Sequence, residues 1–259
     1  MDLLSGKRVL VTGSGRGIGK GIAARFAADE TRVFLNARTA DELAQTESEL
    51  IGKAMAVRYL AVDLMHDGAA RALVEAVKDC WGGLDILVAN AGAAQQGGFL
   101  EIADDAWPEG FGLKMFANLR VIKAAWPMLA SSRGSVVMIG GGTARMPDRR
   151  LSLVSAINGG LAALSKSIAE QGYEDGIQVN LIQPGTILTS RRDKLIRKNA
   201  DVEGMSAEVY RDSLASRLRI SRLGTPQDIA EVVHFLCLPA ARWMHGAIID
   251  VDGGQNKSV

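Results

Sequence analysis

The residues with the most specific chemistry are Thr12-Gly13-Ser14-Gly15-Arg16-Gly17-Ile18-Gly19, four glycines in eight positions behind the apolar run Arg8–Thr12. Glycines at such a turn let backbone N–H groups approach a ligand, and a helix that begins on them turns its positive end toward an anion. The chemistry implied is the binding of a diphosphate. A glycine cluster alone would suit a flexible turn equally well, but its place between a strand-like and a helix-like run favours the binding site. Two cations stand nearby, Arg16 inside the turn and Arg38 in Asn36-Ala37-Arg38-Thr39. Other chemistries find little support. There is no G-x-S-x-G or H-E-x-x-H, and His66, His234 and His245 lack ligand spacing, so no metal site is expected. Cys80 and Cys237 are far apart and form no C-x-x-C, which suits packed thiols in a reducing compartment.

The elements that must hold this turn follow from the hydrophobic pattern. Short β-branched runs at 8–12, 32–36, 55–60, 85–89, 134–139, 177–182 and 247–251 read as strands. Amphipathic stretches at about 17–28, 40–51, 66–80, 104–131, 150–172 and 226–237 read as helices, the last with Pro226 at its first position. This alternation predicts an α/β fold, a doubly wound Rossmann-type parallel sheet of about seven strands flanked by helices. No linker or repeat interrupts it, so residues 1–259 are expected to form one domain. The long gap at 184–225, with Arg191, Arg192, Lys194, Arg197 and Lys198, reads as a lid-like segment that carries helical pieces. Those cations favour an anionic small-molecule ligand, or else form a solvated helical face. A net charge of +1 with interspersed signs argues against nucleic acid. No apolar run approaches the ~18 residues of a membrane span, and the few residues before Arg8 leave no room for a secretory leader. A cytoplasmic chain is expected.

The spacing Gly13-x3-Gly17-x-Gly19 resembles the short-chain dehydrogenase/reductase superfamily, in particular single-domain 3-oxoacyl-carrier-protein reductases, and the resemblance covers nearly the whole chain. It implies that Asp63 and Leu64, after the third strand, contact adenine. It matches Asn90-Ala91-Gly92 to the structural N-A-G motif after the fourth strand. It places Pro184, Gly185, Ile187 and Thr189 at the nicotinamide end, and it extends to Gly246 and Val251-Asp252-Gly253-Gly254. It also implies a homotetramer, built across the helices at 104–131 and 150–172, where Trp126, Met128, Leu161 and Leu164 offer apolar contacts or else belong to the core. The second strand ends without the acid that binds a ribose 2′-hydroxyl, whereas Arg38 and Arg16 suit a 2′-phosphate, so the expected cofactor is NADP(H). Both arginines could also be solvated surface charges.

The superfamily's Ser-Tyr-Lys-Asn tetrad is missing. Its Tyr and Lys sit one helical turn apart so that the cation stabilises a tyrosinate. The register of the helix at 150–172 puts Val154 at the Tyr position and Asn158 at the Lys position, and Gly141, 13 residues before Val154, at the Ser position. Lys114 stands seven residues after Trp107 and 13 before Pro127, the family's spacing for its Asn; Asn118 lies a turn further on. Cation and amide have traded places. Lys114 and Asn158 are therefore the candidate catalytic pair, with Lys114 as oxyanion stabiliser or proton donor, Asn158 bonding a nicotinamide ribose, and Thr143 offering a hydroxyl. Alternatively, Lys114 snorkels on the surface and Asn158 is a solvated remnant. Tyr59, Tyr173 and Tyr210 lie elsewhere. Three functions follow. One is an atypical NADP(H)-dependent oxidoreductase acting on a carbonyl or activated alkene. Another is a catalytically silent NADP-binding sensor or subunit. The third, a redox-neutral lyase or dehalogenase, is disfavoured because halohydrin dehalogenases give up the glycines that are intact here.

Overall fold

A computed structural model describes residues 3–258. Seven parallel strands form one sheet in the order β3-β2-β1-β4-β5-β6-β7: β1 Arg8–Thr12, β2 Arg32–Ala37, β3 Ala56–Ala61, β4 Ile86–Ala89, β5 Ser135–Ile139, β6 Gln178–Pro184 and β7 Ile248–Val251. The central strands β1, β4 and β5 are apolar in their middles because both sheet faces are covered. Leu10, Leu87 and Val136 point into one core, with α3 (Ala69–Trp81), α5 (Asn118–Ser132) and α6 (Ser152–Asp175). Val9, Val11, Val33 and Val88 point into the other, with α1 (Gly17–Ala27), α2 (Ala40–Leu50) and α9 (Pro226–Cys237). β1 pairs with β2 on one side and β4 on the other. The strand order reverses there, which opens a crevice at the carboxyl ends of the strands, where such sheets bind ligands.

Strand positions agree with the sequence reading within two residues, and α9 starts at Pro226 with a Thr225–Asp228 capping box. The Arg222 guanidinium beside Asp228 holds that carboxyl well below the usual carboxylate range. Two expectations need correction. The single helix expected at 104–131 is α4 (Ala106–Phe111), a π-helical turn over Gly112–Ala117, and then α5. The extra residue per turn comes just where Lys114 stands, and such insertions recur at functional sites. Leu161, named as an assembly contact, is 2% exposed and belongs to the core, while the Trp126 indole N–H is tied to Asp175 at 2.7 Å. The apolar side chains left on the surface include Trp243, 98% exposed, and Phe116.

The 184–225 segment carries α7 (Ser190–Val202) and α8 (Ala207–Leu218). They pack on a small core of their own, formed by Ile196, Ala200, Tyr210 and Leu223. Among the described residues no helix is long and apolar enough to cross a membrane.

Candidate active site

The glycine turn runs from β1 into α1. Gly13 adopts φ +66°, which disfavours any side chain, and a Cβ on Gly19 would run into the Gly13 carbonyl. Ser14 is buried, and both its hydroxyl and its backbone N–H are engaged with the Asn36 backbone, which ties the turn to β2. Thr12 Oγ1 accepts from the N–H groups of Asn90 and Ala91, both 3.0 Å, while the Asn90 amide donates to the Thr12 and Gly13 carbonyls. Asn90-Ala91-Gly92 thus staples the end of β4 to the turn. The start of α1 has no side-chain cap and no acid in its first turn, which leaves backbone donors for an anion.

Arg38 is exposed at the end of β2, beside Thr39, the residue preceding α2. Arg16 instead pairs with Glu42 at 3.0 Å, and Glu42 lies against Gly15. Glu42 was missed in the sequence because it falls in the first turn of α2, four residues past Arg38, and only the fold lays that turn over the glycine loop. Asp63 accepts from the Met65 N–H at 2.9 Å, and Leu64 is buried.

Beyond these residues lies a cleft of about 1270 Å³ whose wall includes Ile18, Asn90, Gly92, Pro184, Gly185, Ile187 and Thr189. Lys114, Gly141, Val154 and Asn158 line the same cleft, so the structure brings these four candidates together. Gly13, Ser14, Arg16, Gly17, Gly19, Arg38, Thr39, Asp63, Leu64 and Ala91 are not on its wall; they sit around the ends of β1, β2, β3 and β4.

Lys114 Nζ donates to Asn158 Oδ1 at 2.6 Å and to the Gly140 carbonyl at 3.2 Å. An ammonium can only donate, so the Asn158 oxygen must face it. The Asn158 nitrogen then donates to Thr143 Oγ1 at 2.8 Å, which leaves the Thr143 hydroxyl hydrogen free. Both ends of the Asn158 amide are engaged and the residue is 2% exposed, so it orders Lys114 and Thr143 rather than presenting itself to a ribose. Two of the three ammonium donors are used and one remains. Burial, and then the like charge of Arg191, push Lys114 down to about 8.

Asn118 is also buried. Its amide donates to the carbonyls of Ala91 at 2.6 Å and Lys114 at 2.9 Å, which pins the π-helical turn to the end of β4. A buried Asn in mid-helix was the available signal for this role. A Cβ at Gly141 would lie 2.6 Å from Asn158 Nδ2, and one at Gly92 would lie 2.6 Å from Lys114 Cγ. The two glycines make room for Lys114 and Asn158. Of the histidines, His234 is buried against Asp29 and His245 bonds Ala169, and no metal-binding group occurs among the described residues.

A family model described as enoyl-(acyl carrier protein) reductase matches residues 13–256. The uncharacterized oxidoreductase YvaG of Bacillus subtilis is 31% identical, over 99% of this chain and 98% of its own. The granaticin polyketide synthase putative ketoacyl reductase 1 of Streptomyces violaceoruber is 31% identical, over 95% of this chain and 91% of its own. A crystal structure of L-sorbose reductase from Gluconobacter frateurii, complexed with NADPH and L-sorbose, superposes with a TM-score of 0.95 at 32% identity and covers 100% of both chains. With its glycine turn, its strand order and this full-length likeness, the chain belongs to the short-chain dehydrogenase/reductase superfamily of oxidoreductases.

Proposed function

We propose that the chain is an NADP(H)-dependent oxidoreductase that reduces a carbonyl or an activated alkene, with the Lys114 ammonium as proton donor. The observation that carries this reading is the Lys114–Asn158–Thr143 chain of hydrogen bonds in the wall of the cleft. The uncapped start of α1 fits a diphosphate, and the exposed Arg38 fits a 2′-phosphate, joined by Arg16 if it exchanges Glu42 for the anion. Ile187 and Thr189 would meet the nicotinamide end, and Asp63 and Leu64 the adenine. The NADPH in the L-sorbose reductase structure supports the same choice. When bound, NADPH supplies a hydride to the substrate.

The remaining work falls to this chain's side chains. Negative charge develops on the substrate oxygen as the carbonyl is reduced. A cation held beside it by fixed partners stabilises that charge without reorganising. A value of about 8 keeps Lys114 mostly protonated at neutral pH yet able to release its proton, as a general acid requires. Asn158 holds the ammonium in place, and Thr143 retains a donor for the same oxygen.

A second reading, a chain that binds NADP(H) without turnover, is favoured by the missing hydroxyls at Gly141 and Val154. Calorimetric titration with NADPH and NADH, followed by an NADPH-consumption screen of ketones, enones and acyl thioesters, separates the two. Turnover of any of these by the unaltered protein, lost in Lys114→Met, supports the first. Tight NADPH binding with no consumption supports the second. The substrate is a small molecule, and the assembly we propose is a homotetramer that covers the exposed Trp243.

A further inference from the structure

The cleft holds more positive charge than proton donation uses. Arg191 and Arg192, in the first turn of α7, share its wall with Lys114. The acids on that wall are already engaged: Asp148 with Arg150, and Asp252 with the N–H groups of Gly254 and Asn256. Asp193, the acid next to Arg192 in the chain, is held by Arg197 and Arg211. Among the described residues the Arg191 guanidinium donates only to the Ala94 carbonyl, at 3.1 Å. The Arg192 guanidinium, partly buried, has no hydrogen bond or ion pair among the described residues; its backbone N–H alone is bonded, to Thr189 Oγ1.

A cation withdrawn from water without an acceptor destabilises the fold. Arg192 is such a cation; Arg191, exposed and bonded to the Ala94 carbonyl, adds like charge beside it and also repels Lys114. Packing does not require them. α7 is anchored by Ile196 and Ala200 and capped by Thr189, none of which depends on a guanidinium at 191 or 192. What would satisfy Arg192, and engage the remaining donors of Arg191 beside it, is an oxyanion in the cleft, since planar guanidinium donors match carboxylate and phosphate oxygens.

We propose that Arg191 and Arg192 bind an oxyanion of the substrate, so that the chain takes a carbonyl compound bearing a carboxylate or a phosphate. The assignment rests on the reading above for the carbonyl's place beside Lys114. The competing occupant is the cofactor's own diphosphate, because a Cβ at Gly17 would touch Thr189, which puts the start of α1 close to α7.

Two substrate pairs test it on the full-length protein. Acetoacetate against methyl acetoacetate isolates a carboxylate. Acetoacetyl-pantetheine 4′-phosphate against acetoacetyl-pantetheine isolates a phosphate. The unaltered protein, Arg191→Gln, Arg192→Gln and Arg192→Lys are compared, with NADPH affinity measured for each. Calorimetry of both charged probes on NADP-saturated protein needs no turnover. We expect the charged member of one pair to be preferred in kcat/KM. Arg192→Gln should then lower the charged-to-neutral ratio by about ten- to a hundredfold, as loss of a charge-assisted hydrogen bond would. Arg192→Lys should restore part of it. If Arg192→Gln does not fold, Arg191→Gln and Arg192→Lys carry the same comparison. Equal use of charged and neutral members, or a loss that appears as NADPH affinity instead, overturns the proposal while leaving reductase activity intact. Arg192-dependent binding of a charged probe without any turnover leaves it standing and removes the reductase reading. Failure of both charged probes to bind or react overturns it.

Discussion

Replacing Lys114 by Met removes the ammonium and keeps most of the side chain's reach. Its effects on stability and turnover can be worked out separately. Burial moves Lys114 from 10.5 to about 8, a difference of about 3 kcal/mol against the charged form in the folded state, at ~1.4 kcal/mol per pH unit. Between these two values the unfolded chain binds the proton and the folded chain does not. Stability of the unaltered protein therefore rises with pH across that window, and the full penalty is present below about pH 8. Lys114→Met has no such penalty at any pH. It does lose the hydrogen bonds to Asn158 Oδ1 and the Gly140 carbonyl, about 1–3 kcal/mol, at all pH values alike. The two effects nearly cancel near pH 7, but their pH dependence differs. Urea unfolding at several pH values should show the variant losing about 3 kcal/mol relative to the unaltered protein between pH 7 and about 10.5. Turnover should fall by at least about a hundredfold with NADPH affinity nearly unchanged, the mark of an interaction made mainly in the transition state. In the unaltered protein, kcat/KM for reduction should decline above about pH 8, where the ammonium is lost, and rise through the same range for oxidation. Parallel stability curves for the two proteins would refute the burial argument. A variant that turns over normally, or a flat rate profile from pH 7 to 9, would refute the role of Lys114 as acid.

The other expectations are more local. Gly141→Ser should destabilise by about 1–3 kcal/mol through its contact with Asn158, and the loss should largely vanish in an Asn158→Ala background, as a double-mutant cycle would show. Arg38→Ala should weaken NADPH by about 1–3 kcal/mol with little effect on NADH, and Glu42→Gln, which frees Arg16, should strengthen NADPH; titration with both cofactors checks each. Because α7 and α8 pack on a small core of their own, amides of 184–225 should exchange faster than those of the sheet and gain protection when NADPH binds. Full protection without cofactor would count against a lid. Light scattering at micromolar concentration should give a tetramer, with Trp243→Arg reducing its mass; a monomeric unaltered protein would remove the assembly proposal.

The elements and their order were legible because their causes are local. Buried parallel strands must be apolar on both faces, and a left-handed turn against a close backbone selects glycine, so Val9–Val11, Val33–Leu35 and Gly13 through Gly19 announce themselves along the chain. Spacing also singled out Lys114, Gly141, Val154 and Asn158 as candidates, but that they line one cleft is decided by the fold, which brings two helices and the end of β5 together. Other features depended on residues distant in sequence. The π-helical turn at Gly112–Ala117 exists where the Asn118 amide bonds Ala91 and Lys114, and apolar periodicity does not report one inserted residue. Leu161 and a surface leucine look alike in one dimension, and only packing separates them. Charge is the clearest case. Whether Arg16, Arg38, Arg191 or Arg192 is free or paired depends on which acids the fold brings within 4 Å, and among the described residues it brought Glu42 to Arg16 and none to Arg192. Residue type determined what each group can do, and tertiary structure decided what it has left to do it with, because hydrogen-bond partners and solvent access are set by neighbours from other parts of the chain.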